Sequence, residues 1–264
     1  MAAKNTGLAY FQQGDYAQAL HWGQQALHIS TEAGDSAGVA AALQNIGNAY
    51  LRQGDRNRAL ANYTRALGMR YALGDSARAV GLLINLGTYY VSEENYVRAA
   101  TYCTQAAAYF RQHNDSAGLY TALLNLGIAQ LNQDSLPTAE ATLREALALK
   151  LAVGDTIGAA LVYQNLGNVA LLRGQPAEAL ALLGQSRSVL EAQSDSTALC
   201  RILTLEARAL LAQQNPAAAR IKGELALQMA EASESLWLLR DALGVLHPAY
   251  AALGQHVQAL AYLE

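Results

Sequence analysis

The chain has 264 residues, is 52% hydrophobic and only 15% charged, and carries a formal net charge of -3. Soluble domains usually hold about 25% charged residues, so much of this surface must be small and mildly apolar, with no basic field to attract a nucleic acid. No run approaches the roughly 20 apolar residues of a membrane span and no signal peptide is present, so no membrane insertion of this segment is expected; the cytoplasm is the favoured compartment, or the periplasm if the chain belongs to a membrane sensor kinase.

Residues 1–34 introduce the features that recur. Asn5 and Gly7 lie two apart, Ala19 follows twelve residues after the glycine, and Gly34-Asp35 marks a joint. Residues 35–74 show the whole unit. Asp35 is placed to accept from the free amides of a helix opening at Ser36. Val39, Leu43, Ile46, Gly47, Tyr50 and Leu51 follow at helical spacing, and Gly54 can take the left-handed conformation that ends a helix. Asp55 opens a second helix with Ala59, Leu60, Tyr63, Ala66, Leu67 and Tyr71, before Gly74-Asp75 closes the unit. Two antiparallel helices of about eighteen residues, joined by two-residue turns, are predicted.

The unit then returns at a spacing of forty. Asn45, Asn85, Asn125 and Asn165 repeat Asn5; Gly47, Gly87, Gly127 and Gly167 repeat Gly7; and Ala59, Ala99, Ala139, Ala179, Ala219 and Ala259 repeat Ala19. Such self-similarity marks stacked repeats, each burying its apolar face on its neighbours. The prediction is an all-α, right-handed α-solenoid of about six and a half helix pairs forming a single domain over 1–264, with units at 1–34, 35–74, 75–114, 115–154, 155–194, 195–234 and 235–264. Glycine inside a helix costs up to about 1 kcal/mol relative to alanine, so its return at one register implies a close helix–helix contact, with Gly47 and Ala59 at the point of nearest approach.

Later units modify the pattern. Cys103 falls where other units carry Tyr63, Leu143 and Leu183, a core position, and is read with Cys200 as a structural thiol. Residues 205–208 read Leu-Glu-Ala-Arg in place of Asn-Leu-Gly-Asn. Pro248 removes a hydrogen bond inside the first helix of the seventh unit, where a kink is expected. Both ends lack polar caps, so an excised piece of a longer protein is expected, with Met1 and Leu263-Glu264 as cloning residues and with homo-association through uncapped ends.

Ile46, Gly47, Tyr50, Ala59 and Ala66, and again Leu86, Gly87, Tyr90, Ala99 and Ala106, follow the pattern of the tetratricopeptide repeat, which the chain resembles over essentially its whole length. The aromatic is lost in the fourth unit, and the last alanine becomes Ser186 in the fifth. Units of forty residues instead of the usual 34 are similar to those of the Pins/LGN spindle-orientation adaptors, kinesin light chains, Rap regulators and bacterial sensor histidine kinases. The resemblance implies a non-enzymatic scaffold that binds a protein or peptide in a concave groove lined by the first helix of each unit, as the sensing or adaptor region of a larger bacterial signalling protein. The alternative is a structural or oligomerising arm of a multidomain enzyme, a histidine kinase or a protease, with no specific groove ligand.

Carrying the family's groove register across gives Ala41, Gln44, Asn45, Asn48 and Arg52; then Ile84, Asn85, Thr88 and Ser92; then Thr121, Leu124, Asn125, Ile128 and Asn132; then Gln164, Asn165, Asn168 and Leu172; and finally Arg201, Thr204 and Arg208. Each carboxamide offers two donors and an acceptor, so an asparagine ladder can pair with an extended peptide. The same asparagines can instead bridge to the next unit, and both roles stay open. Ile84, Leu124 and Ile128 suit a peptide with a buried apolar anchor, or packing between first helices. No cofactor or metal motif is found: His21 and His28 share a face but on the outward helix, and the aspartates sit at turns where capping explains them. A closed toroid with a catalytic centre is disfavoured, because the groove positions hold no carboxylate pair and no histidine.

Overall fold

The computed structural model describes residues 2–233 and 235–262. The calls on Met1 and Leu263-Glu264 lie outside these. Among the described residues there are fourteen helices and no strand: α1 (Ala2–Gln12), α2 (Tyr16–Glu32), α3 (Ser36–Arg52), α4 (Arg56–Ala72), α5 (Ser76–Ser92), α6 (Tyr96–Gln112), α7 (Ser116–Leu131), α8 (Leu136–Ala152), α9 (Thr156–Leu172), α10 (Pro176–Gln193), α11 (Ser196–Ala212), α12 (Pro216–Ala232), α13 (Leu236–Ala252) and α14 (His256–Leu260). They fall into two compact units, Met1–Gln133 and Asp134–Glu264. Each is an all-α stack in which every helix packs on the next in sequence.

The joints obey a twenty-residue cadence. Gly14, Gly34, Gly54 and Gly74, then Gly154 and Gly174, then Gly254, all have φ between +65° and +81°, and Glu94, Asn114, Asp134, Ser194 and Gln214 occupy the same slot at +54° to +58°. One left-handed residue turns the chain at the end of each helix, where glycine alone pays no Cβ penalty. At nine of these twelve joints the side chain of the next residue caps the following helix, and at Ser135, Gln175 and Gln255 it does not. Asp35 Oδ1 accepts from the Gly38 amide at 2.8 Å, and Asp15, Asp55, Asp75, Asp115, Asp155 and Asp195 do likewise, with Asn95 and Asn215 substituting at two joints. Three residues, rather than the expected two, separate α3 from α4, because the cap itself stands outside the helix.

Within a pair the small residues bring the backbones together. A Cβ on Gly47 would lie 2.7 Å from the Tyr63 ring and 3.4 Å from the Ala59 carbonyl oxygen; on Gly167 it would lie 2.8 Å from Leu183 Cγ and 3.4 Å from the Ala179 oxygen. At Gly87 the obstacle is Cys103 Sγ, at 2.5 Å. That thiol is fully buried, and burial pushes its pKa up to about 12, which leaves it an unreactive packing group.

The sixth repeat departs from the rest. Glu206 stands where Leu166, Leu126, Leu86 and Ile46 lie in the core of other units, and it is itself buried. Arg187 Nε reaches its Oε1 at 2.9 Å from α10 and Lys222 Nζ its Oε2 at 2.6 Å from α12, so the carboxylate is held between two cations. Pro248 does not split its helix: α13 runs unbroken from Leu236 to Ala252. Gly244, whose carbonyl loses its partner there, and Pro248 are both exposed, so water can serve the freed oxygen.

Gly47→Ala is expected to cost roughly 1–3 kcal/mol by overpacking against Tyr63. Gly68→Ala, with no atom within 4 Å of the added carbon, should instead gain up to about 1 kcal/mol. Denaturant titration of the two variants checks the contrast, and equal effects would remove the close-contact explanation. At the left-handed slot, Gln214→Gly should gain roughly 0.5–1 kcal/mol, the relieved Cβ clash less the glycine's added chain entropy, read as a raised midpoint in the same titration.

Candidate functional site

Two kinds of helix alternate, and they do not space equally. In the first unit the backbones of α1, α3, α5 and α7 approach one another in succession, and in the second those of α9, α11 and α13 do so. The even helices stand apart, reached across by long side chains such as Arg144 of α8 to Glu178 of α10 at 3.1 Å. The closer row is the inner one, so each unit turns its odd helices inward. The predicted groove residues lie on these odd helices, except Asn132, which follows α7 as its C-cap.

In the first unit, α3 and α5 open a recess of about 530 Å³ lined by Asn48, Arg52, Tyr63, Asn85, Thr88 and Ser92, with Phe11 at one side. Tyr63 reaches it from α4, its hydroxyl donating to Asn48 Oδ1 at 2.8 Å; Asn85 Nδ2 donates to the same oxygen at 3.1 Å. Burial raises the Tyr63 pKa and the nearby Arg52 charge opposes the rise, so the phenol stays protonated as a donor. On the next step Asn125 Nδ2 donates to Thr88 Oγ1 at 2.9 Å. These two bridges span thirty-seven residues each. Asn45 finds Leu8 at that distance, which offers no acceptor, and it makes no hydrogen bond among the described residues. Gln44 and Ile128 are part-buried on the same face. Arg52 is exposed at the rim with no anionic partner among the described residues, whereas the neighbouring Arg56 pairs with Glu93 at 2.8 Å.

In the second unit, Gln164, Asn165 and Asn168 of α9, Arg201, Thr204 and Arg208 of α11, and Trp237 and Asp241 of α13 surround a recess of about 120 Å³. Asn165 Nδ2 turns back to the Leu161 carbonyl of its own helix at 2.8 Å. The Arg201 guanidinium lies over the Trp237 ring, 5.3 Å from its centroid. Arg208 stands 3.9 Å from Asp241. Six of the seven second-unit residues of the sequence register line this recess, Leu172 being the exception, and the register missed Trp237 and Asp241. Their signal is the inter-helix spacing itself: Trp237 follows Arg201 by thirty-six residues and Asp241 follows Arg208 by thirty-three, close to the thirty-seven that separate the bridged pairs of the first unit.

This row of small-residue-packed pairs defines a helical-repeat protein. Two family models described as tetratricopeptide repeat match residues 1–72 and 45–117. Residues 1–117 are thus made of tetratricopeptide repeats. No curated protein matches the sequence. Solved structures share the fold. The signal transduction ATPase with numerous domains (STAND) carrying a tetratricopeptide repeat sensor, PH0952 from Pyrococcus horikoshii, superposes with a TM-score of 0.78 at 14% identity, over 99% of this chain and 40% of that one. The Rap conjugation gene regulator of plasmid pLS20, in complex with the Phr* peptide, gives 0.66 at 16% identity, over 89% and 65%. BtubC (BKLC) from P. vanneervenii gives 0.68 at 15% identity, over 83% and 92%.

Because Asn85 is tied to Asn48, Asn85→Ala should lower stability by about 0.5–1.5 kcal/mol. Asn45→Ala removes no bond and should leave the melting temperature unchanged. Equal losses in thermal denaturation would mean that the bridge does not distinguish them.

Proposed function

We propose that the chain is a non-enzymatic scaffold that binds a protein or peptide segment along the inward face of its odd helices, and that it serves as the sensing or adaptor region of a larger bacterial signalling protein. The observation that carries this is the recess between α3 and α5. Arg52 there lacks an anionic partner, and Asn48, Asn85 and Thr88 keep hydrogen-bonding capacity beyond the bonds they make to each other. Spare directional groups beside the apolar Phe11 and the Leu51 side chain suit an extended segment with one apolar anchor. Support also comes from fold likeness to a regulator solved with a peptide and to a protein with a repeat sensor.

A second proposal, a structural arm with no groove ligand, is favoured by one observation: the Asn85–Asn48 and Asn125–Thr88 bonds spend the ladder on holding first helices together. Peptides selected by display against the full chain decide between them. For the scaffold, peptides should enrich and bind, and Arg52→Glu combined with Thr88→Arg should weaken them by at least roughly tenfold, about 1.4 kcal/mol, with the fold intact. Failure of any peptide to enrich, or equal binding to the variant, would leave the arm as the better account.

A further inference from the structure

The outward face of α12 breaks a pattern that the earlier even helices keep. At one outward register those helices carry Gln25, Arg65, Gln105, Glu145 and Gln185, and α12 carries Leu225. One turn earlier, Ala61, Ala141 and Ala181 give way to Ile221. Both apolar side chains stand in solvent, Ile221 59% and Leu225 45% exposed. With Ala217, Gln228 and Ala232, also exposed, they make one stripe along the helix. Its far end opens into a recess of about 320 Å³ that Gln228 and Met229 help to line. Large aliphatic groups beside a recess, on a surface otherwise small or polar, mark a contact face. Arg220, Glu224 and Glu231 share one flank of the stripe, a cation followed by two acids. Arg220 meets Glu224 only at 3.8 Å, and Glu231 makes no ion pair among the described residues.

We propose that this outward face binds a second copy of the chain, α12 lying antiparallel against α12 about a two-fold axis near Leu225. Such an axis sets like flank against like flank and reverses the order of residues. Arg220, before the axis, then lies across from Glu231 of the second copy, after it, and the reciprocal pair forms too. The charge order is complementary to itself, whereas a parallel pairing would set Arg220 against Arg220. Leu225 meets its own counterpart on the axis. Ile221 reaches the recess beside Gln228 and Met229 of the second copy. The stripe runs along the side of the stack, so this contact is different from association through the uncapped ends. One helix stripe offers less than the roughly 800 Å² per partner of a standard interface, so the dimer is weak and concentration-dependent.

Sedimentation equilibrium of the full chain, from low micromolar to submillimolar concentration, should show a monomer–dimer equilibrium. Ile221→Ala and Leu225→Gln, which give α12 the residue types of α10 at exposed positions, should each weaken it at least roughly tenfold with the melting temperature unchanged. Arg220→Glu and Glu231→Arg should each weaken it, and the double variant should recover it, which a patch that is merely sticky would not do. Leu225→Cys should form a disulfide between copies on mild oxidation, while Gln185→Cys, at the same register of α10, should not; the native Cys103 and Cys200 are buried. A strictly monomeric profile overturns the proposal. So does association that Ile221→Ala and Leu225→Gln leave unmoved, which would place the contact at the ends. Failure of the double charge variant to recover dimerisation, or equal cross-linking at the two cysteine positions, overturns it as well. A monomer that captures a different protein on α12 would make that protein the occupant and equally overturn it.

Discussion

The contact on which the regular pairs depend is that between a glycine of one helix and the carbonyl of an alanine on the next. With no side chain at Gly47 or Gly167, the opposing helix comes close enough for the Ala59 or Ala179 oxygen to sit at van der Waals distance of the position a methyl would take. Large groups at the following turn, Tyr63 and Leu183, then fill the space over the glycine. The pair becomes thin at one place and full beside it. Repeated at a fixed interval, this shape makes each pair the template for its neighbour, and stability accumulates from nearest-neighbour interfaces.

Inward crowding of the odd helices follows, and so does their chemistry. Side chains that face one another across adjacent odd helices are thirty-three to thirty-seven residues apart. At that range a polar residue either finds a partner, as Asn85 and Asn125 do, or is left with capacity to spare, as Asn45, Arg52, Gln164 and Arg201 are. Where the repeat is regular the face knits itself together; where it varies, unpaired donors collect.

The helices and joints could be read before any coordinates because their determinants are local. A left-handed residue followed at most joints by Asp or Asn, at twenty-residue intervals, marks the boundaries, and even the non-glycine slots at Glu94, Asn114 and Gln214 keep the count. The groove face was also readable, since it needs only the helical period. What escaped was the pairing across helices. Nothing near Trp237 in the chain indicates that it lies under Arg201. That α13 continues through Pro248 was not legible for a similar reason: propensity registers the lost hydrogen bond, but not that the freed carbonyl belongs to a solvent-facing Gly244.

Elsewhere the units are close to interchangeable, since each offers its neighbours the same apolar surface and the same small contact. The Glu206 cluster breaks that equivalence. A copy of the fifth repeat in its place would carry off Glu206 together with Lys222 and leave Arg187 without its buried carboxylate, while the sixth repeat moved behind another unit would meet Leu67, Ala107 or Leu147 where Arg187 stands and leave Glu206 with Lys222 alone. Lineage by duplication makes modules that can be shuffled; a single charged side chain in the core gives this one an address.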